Sequence, residues 1–337
     1  MCFLFVDRIV ATIPGKLIRG VKHVTKDDDY LCYDTVGQIA FAPSLIGETL
    51  GQLAAWNVMA FHDFSLRPVA GIVASACLLR GVHPGETLLL ESVIDELDDA
   101  VVRYHSIAKV GNEPVFIVDG AIGPLLPMTN FIDVDVVRRQ FNEINRPGDW
   151  DVVVANASTP CSEKTRFFKN SYGYSPSTSR GLTSGSSNSL DSLPDPKVRP
   201  QDVNFRVLQF DHIVEVEPGV HWTAEKLVSR TAAYFPDHFP NNPVLPMTVL
   251  LECKLNLAHQ FVSKLIKELG SRGNYQVCEL RKIKMNEFIH PGDVVVCHLK
   301  LKQLNDEELV LSCQSLVDGK RVCVVEIVGA IYNSSEL

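Results

Sequence analysis

The sequence predicts an α+β fold in which one unit, an antiparallel sheet wrapped around a single long buried helix, occurs twice along 337 residues. Three observations support this prediction. A ten-residue stretch at residues 6–15 returns at residues 210–219, a long apolar helix follows each copy, and alternating apolar strands follow each helix. Self-similarity at a fixed interval marks duplicated architecture.

The repeat is read directly from the residues. VDRIVATIPG at 6–15 and FDHIVEVEPG at 210–219 share five of ten positions at an offset of 204 residues. Carried forward without a gap, this offset places Glu48 opposite Glu252. The His-Pro-Gly turns at 83–85 and 290–292 correspond at an offset of 207. Period and length together indicate two units of about 120 residues each.

The helix of the second unit is predicted to begin near Met247. Prolines at 236, 240, 243 and 246 remove backbone donors and forbid an earlier start; we call residues 236–246 the proline loop. From Thr248 to Leu269 apolar residues surround nearly the whole helix, which is typical of a helix buried on most sides. The equivalent helix of the first unit is predicted at 45–61.

Alternating apolar and polar residues predict four long strands after each helix. These are 71–79, 87–97, 101–109 and 115–122 in the first unit, and 275–284, 293–304, 308–318 and 320–332 in the second. A short strand and a Pro-Gly turn precede each helix, at 3–15 and 207–219. The turns at 110–113 and 318–320 are expected to join antiparallel partners.

The predicted domain organisation is a first unit at 1–130, a connecting segment at 131–204 and a second unit at 205–337. Within the connecting segment, residues 132–144 predict an amphipathic helix and 151–155 a strand. Residues 171–192 contain nine serines and few large apolar side chains. Such a composition cannot bury enough surface to offset ordering entropy, so 158–200 is predicted to be a flexible linker.

Composition excludes several classes of function. A net charge of -8 disfavours nucleic acid as a partner, and the apolar runs are far shorter than the roughly 18 residues of a membrane span. Nine cysteines without a CxxC pair favour reduced thiols and a cytoplasmic setting. No residue spacing suggests a metal site, a serine-hydrolase motif or a phosphate loop, so no metal or cofactor is expected.

The most specific stretch runs from His238 to Pro246 and reads HFPNNPVLP, with Glu252 following in the helix. It resembles the HFPGxPVMPG signature of the hot-dog-fold β-hydroxyacyl-(acyl carrier protein) dehydratases of the FabZ/FabA type, in which Glu252 takes the position of the helix acid. Two residues depart from the signature. Asn241 replaces the first glycine, and Met247 replaces the glycine whose amide faces the thioester carbonyl.

The resemblance implies a tandem double hot dog, a pseudo-dimer within one chain. It also implies a dehydratase of fatty-acid or polyketide synthesis that acts on a 3-hydroxyacyl chain carried by acyl carrier protein or coenzyme A. Removing water requires a base, an acid and a donor at the carbonyl oxygen. Histidine suits the base, and a glutamate kept protonated on an apolar helix suits the acid. The first N–H groups of the buried helix supply the donor.

In this family the histidine comes from one hot dog and the acid from the other. The ungapped register pairs His238 with Asp34, and the loop at 33–38 keeps nothing of the motif. The first unit instead carries Glu48 and Gln52, similar to the acid-xxx-Gln pattern of dehydratases. The predicted active site therefore combines His238 as base with Glu48 as acid, and the site of Glu252 is expected to be inactive. The predicted substrate-binding residues are Gln52, Met247, Tyr234 and Pro246.

Alternatives stay open at this stage. A non-catalytic acyl-binding or scaffolding module would explain Met247 and the missing motif of the first unit, whereas a hot-dog thioesterase does not usually carry the proline-rich motif. The basic run at 281–284 either meets a pantetheine phosphate or carrier protein, or forms a solvated strand edge. Further homo-oligomerisation is open, and the first strand begins so soon after Met1 that a segment of a larger synthase is also compatible.

Overall fold

An antiparallel sheet runs through both repeats in the computed structural model, which describes residues 3–34, 37–148, 208–270, 273–305 and 308–332. The strands of the first repeat are β1 (Arg8–Ile13), β2 (Leu17–His23), β3 (Leu31–Tyr33), β4 (Ile39–Phe41), β5 (Leu66–Pro68), β6 (Ile72–Leu78), β7 (Thr87–Leu97), β8 (Val101–Val110) and β9 (Glu113–Pro127). Those of the second are β10 (His212–Glu217), β11 (His221–Leu227), β12 (Asn274–Met285), β13 (Val294–Leu304), β14 (Leu309–Val317) and β15 (Lys320–Tyr332). The helices are α1 (Pro43–Phe61), α2 (Val134–Ile144) and α3 (Met247–Glu268).

Followed inward from either end of the sheet, equivalent strands of the two repeats occur in the same order. The strand order is β1-β2-β7-β8-β9-β6-β12-β15-β14-β13-β11-β10, with β5 paired to β9 and a separate β3–β4 hairpin. The halves join where β6 pairs antiparallel with β12, with Val73 opposite Ile283 and Cys77 opposite Glu279. The described residues of the two repeats form a single compact unit.

The repeat read from the sequence recurs in the element boundaries. β1, β2 and the start of α1 return 204 residues later as β10, β11 and the start of α3, and β7 returns 207 residues later as β13. The predicted long helices and strands are confirmed, and β7 and β15 begin and end at the predicted residues. The three-residue strands β3, β4 and β5 were not predicted, because so short a strand shows no alternation.

Each long helix is the core of its own half. On α1 the side chains of Leu45, Leu50 and Leu53 are fully buried, and on α3 the same holds for Val249 and Leu250. Burial of one such side chain is worth roughly 1.5–3 kcal/mol, so the helices and the sheet stabilise each other. In the described parts of the chain, none of the helices has the length and apolar character needed to cross a membrane.

The predicted amphipathic helix of the connecting segment is confirmed as α2. Asp133 caps its N-terminus by accepting hydrogen bonds from the amides of Asp135 and Val136, and Phe141 packs against Trp56 of α1. The strand predicted at 151–155 and the linker predicted at 158–200 lie outside the described residues.

Candidate active site

A cavity of about 130 Å³ lies where the two halves meet. One face of α1 lines it from the first half, together with residues of β5, β6 and β9. The second half contributes the proline loop and the first residue of α3. Glu48 and His238, the predicted acid and base from different halves, both line this cavity.

The Glu48 carboxyl group is held by one hydrogen bond to each oxygen. Gln52 Nε2 donates to Oε1 at 3.0 Å, and Thr248 Oγ1, from the start of α3, donates to Oε2 at 2.6 Å. A carboxyl oxygen has two lone-pair positions. Each oxygen therefore keeps one position for a proton or a substrate hydroxyl.

Gln52 lies one helical turn after Glu48 and is fixed by the N-terminal segment of the chain. Its Oε1 accepts from the Phe5 amide at 2.9 Å, and its Nε2 donates to the Phe3 carbonyl at 3.0 Å as well as to Glu48. Both amide hydrogens are thus used within the protein. These bonds place Gln52 to orient the acid. Gln52 also lines the cavity, so its role in substrate binding stays a prediction.

His238 is oriented by its own loop. Its Nδ1 lies 2.9 Å from the Val244 carbonyl oxygen, and the Val244 amide returns a hydrogen bond to the His238 carbonyl at 3.0 Å. Because a carbonyl oxygen only accepts, this contact requires the proton on Nδ1. Nε2 is then the nitrogen with a free lone pair, as a general base needs.

Electrostatics favour the neutral imidazole. Burial lowers the pKa of His238 below its ordinary value of 6.5, the negative charge of Glu48 opposes this shift, and the positive charge of Arg67 adds to it. The imidazole therefore stays unprotonated at neutral pH. This is the protonation state that can remove a proton from a substrate.

A third ionisable group of the cavity, Arg67 on β5, was not predicted. Its guanidinium carbon lies 4.2 Å from the centre of the Phe239 ring, next to His238 in sequence. Burial lowers the pKa of Arg67 to about 10, against the opposing effect of Glu48, so the group stays charged. No motif or repeat surrounds Arg67 in the sequence. The available signal was an arginine between a buried helix and an apolar strand.

Comparison with known proteins shows the family of the chain. A family model described as a FabA-like domain matches residues 203–326. The 3-hydroxyacyl-[acyl-carrier-protein] dehydratase FabZ of Caldicellulosiruptor bescii is 31% identical over 127 residues, 38% of this chain and 89% of that protein. The FabZ of Lactiplantibacillus plantarum is 28% identical over 129 residues, 37% of this chain and 86% of that protein. The chain belongs to the FabZ/FabA-type dehydratase family.

Solved structures of the same fold extend over both halves. The dehydratase domain of PpsC from Mycobacterium tuberculosis has a TM-score of 0.52 at 11% identity, covering 98% of this chain and 100% of that one. The tesB protein of Mycobacterium avium subsp. paratuberculosis also has a TM-score of 0.52, at 8% identity, covering 96% and 95%. At these identities the likeness shows the fold alone. The predicted α+β double hot-dog class is confirmed.

The structure accommodates the two departures from the FabZ/FabA signature. Asn241 does not have a positive φ, so its position does not require glycine. Its amide donates to the Phe131 carbonyl at 2.9 Å, which ties the proline loop to the first half. Met247 is the first residue of α3 and lines the cavity, and its N–H is among those that an α-helix leaves without an internal acceptor.

Two predicted substrate-binding residues are not among the described residues that line the cavity. Tyr234 is 5% exposed and packs against Phe235 and Phe3. Pro246 is the N-cap residue of α3, and its carbonyl accepts from the Leu250 amide. Tyr234 thus packs beside the proline loop, and Pro246 ends the loop at the start of α3.

The basic run at 281–284 is largely neutralised within the protein. Arg281 pairs with Glu279 at 2.7 Å and with Glu308 at 3.4 Å, and Lys282 pairs with Glu326 at 3.1 Å. This part of β12 lies between β6 and β15 rather than at an edge of the sheet. These ion pairs leave little free positive charge for a phosphate or a carrier protein.

Proposed function

We propose that the protein is a dehydratase that removes water from a 3-hydroxyacyl thioester and yields the 2-enoyl thioester, at one composite site. The observation that carries this proposal is the cavity in which His238 of the second half and Glu48 of the first half meet. Glu48 is also close enough to His238 for its ionised form to raise the pKa of the imidazole against burial.

In the proposed reaction, His238 Nε2 removes the α proton of the acyl chain. The electron pair of that C–H bond forms the new C=C bond, and the bond between C3 and its hydroxyl oxygen breaks. Glu48, protonated at the start of this step, donates its proton to the departing hydroxyl, which leaves as water, and the proton gained by His238 afterwards restores Glu48. Charge that builds on the thioester oxygen is met by the N-terminus of α3, beginning at the Met247 amide.

The acyl group is proposed to arrive on the phosphopantetheine arm of an acyl carrier protein, as the names of the FabZ relatives state for those proteins. Coenzyme A carries the same arm. The proposed setting is the cytoplasm, because the seven cysteines in the described residues are free thiols.

The test is incubation of the full chain with 3-hydroxyhexanoyl-pantetheine, with enoyl absorbance and free thiol followed together. We expect enoyl formation without thiol release, and a loss of about a thousandfold in His238→Ala, because a positioned general base contributes roughly 10²–10⁴. His105→Ala is the matched control, since His105 is on the surface and bonds Asp95 at 2.8 Å. Thiol release without enoyl would instead indicate a thioesterase, and binding without turnover an acyl-binding module.

A further inference from the structure

Arg67 brings an unbalanced positive charge into an otherwise largely apolar cavity. It is one of the cavity-lining residues, together with Ala55 and Val58 of α1. Among the described residues, none places a carboxylate within ion-pair distance of its guanidinium. The Glu48 charge acts on it from farther away, and both Glu48 oxygens already accept hydrogen bonds from Gln52 and Thr248.

The hydrogen bonding of this guanidinium is also incomplete. Its buried Nε has no acceptor in the described part of the chain, and its Nη1 reaches the thioether sulfur of Met59 at 3.8 Å, a weak acceptor. The Phe239 ring supplies a cation–π contact but no lone pair. A half-buried guanidinium whose enclosed Nε is unpaired favours a ligand that brings an oxygen acceptor.

The position of Arg67 relative to the reacting groups indicates which part of the substrate it meets. The Phe239 ring links the guanidinium to the base, because its centre lies 4.2 Å from the guanidinium carbon and 4.1 Å from the centre of the stacked His238 ring. The guanidinium is therefore at most about 8 Å from the imidazole, a distance that a six-carbon acyl chain can span. The thioester is proposed to sit at the N-terminal ends of the helices, beside Glu48 and Met247. The acyl chain then runs past Ala55 and Val58 toward the guanidinium.

We propose that Arg67 selects 3-hydroxyacyl chains that carry an oxygen acceptor on their distal part, a carboxylate above all, over plain alkyl chains. A distal carboxylate would pair with the planar N–H donors of arginine through charge-assisted hydrogen bonds. An alkyl chain of the same length would cover the guanidinium and leave its donors unpaired. The inference rests on the proposed dehydratase site and names its substrate class.

The experiment compares three pantetheine thioesters with six carbons in the acyl chain: 3-hydroxyhexanoyl, 3,6-dihydroxyhexanoyl and 3-hydroxyadipyl. None carries a phosphate, so a preference among them cannot come from a phosphate contact. We expect kcat/KM to rise in that order, with 3-hydroxyadipyl at least roughly tenfold above 3-hydroxyhexanoyl. In Arg67→Met the ratio of kcat/KM for 3-hydroxyadipyl to kcat/KM for 3-hydroxyhexanoyl should fall to one or below. Arg67→Lys should keep part of the preference for 3-hydroxyadipyl, because lysine retains the charge but not the planar donors.

Arg138 provides a matched control, because it too lies over a phenylalanine ring, that of Phe64 at 5.1 Å, but on the surface and paired with Asp63 at 2.8 Å. Arg138→Met should leave the substrate ratio unchanged. A wild-type ratio of one or less, or the same ratio in Arg67→Met, would overturn the inference while leaving the dehydratase proposal intact.

Binding separates the two proposals if no probe is dehydrated. Adipyl- and hexanoyl-pantetheine, which lack the 3-hydroxyl group, are compared by calorimetry with the wild-type chain and with Arg67→Lys. Tighter adipyl binding that weakens in Arg67→Lys supports the role of Arg67 even where the proposed reaction fails. Equal binding of both probes contradicts it. The Arg67→Lys variant decides the question should Arg67→Met not fold.

Discussion

Glu48 and Glu252 occupy the same position of the repeat, on equivalent buried helices, and each reaches across to the start of the opposite helix. Glu48 accepts from the Thr248 hydroxyl at 2.6 Å, and Glu252 accepts from the Ser44 amide at 3.0 Å. Thr248 and Ser44 are themselves repeat partners, 204 residues apart. Up to this point the two acids are equivalent.

Their surroundings differ in every other element of the proposed chemistry. His238 lines the cavity of Glu48, whereas its repeat partner is Asp34, a carboxylate. The first residue of α3 is Met247, which has an N–H, but the first residue of α1 is Pro43, which has none. The site of Glu252 would therefore lack both the base and the first helix-end donor.

The supporting amide differs as well. Gln52 bonds Glu48, but its repeat partner Asn256 is one methylene shorter and donates to the Leu208 carbonyl at 2.6 Å. Burial raises the pKa of Glu252 above its ordinary value, and the hydrogen bond from the Ser44 amide opposes the shift. The comparison teaches that an acid on an apolar helix does not define a site; the loop and helix end that face it do.

The largest expected effect separates the two acids directly. Glu48→Gln should lower enoyl formation by about a thousandfold, because it removes the proton donor to the leaving hydroxyl. Glu252→Gln should retain most of the activity. Both are measured as kcat/KM on 3-hydroxyhexanoyl-pantetheine, and an equal loss in the two variants would refute the single-site assignment.

A smaller effect is expected at the residues that hold the acids. Thr248→Val removes the hydroxyl that bonds Glu48. A hydrogen bond between uncharged groups is worth about 0.5–1.5 kcal/mol, so kcat/KM should fall roughly two- to tenfold. Ser44→Ala keeps the amide that bonds Glu252 and should leave kcat/KM unchanged. A Thr248→Val variant as active as Ser44→Ala would show that Glu48 does not depend on the cross-helix contact.

The smallest effect concerns stability. Because the folded-state pKa of Glu252 is raised, its stabilising contribution is complete below the unfolded value of 4.5 and is lost as pH rises through the folded value. The side-chain amide of the Glu252→Gln variant does not titrate. The Tm of this variant relative to wild type should therefore rise as the pH increases above 4.5. Exposed Glu96→Gln is the control, and a flat difference would contradict the assigned shift.

The repeat and the motif predicted the two-unit fold and the pairing of Glu48 with His238, because the repeat and the motif are both patterns of residue spacing along the chain. Glu48 opposite Glu252 follows from an ungapped register, and His238 from a nine-residue pattern. Arg67 could not be found in this way, since its role depends on which ring and which sulfur lie beside it in space. Tyr234 shows the converse, because closeness to a motif in sequence does not place a side chain in the cavity.

The pairing of β6 with β12 has a consequence for how the protein can change. Both halves belong to one polypeptide, and main-chain hydrogen bonds join their strands at this pairing. Dilution therefore cannot separate the imidazole of the second half from the carboxyl group of the first. In a symmetric dimer of identical chains, every mutation changes both subunits and therefore both pockets. Here a substitution reshapes one pocket alone, so the second helix is free to specialise as scaffold.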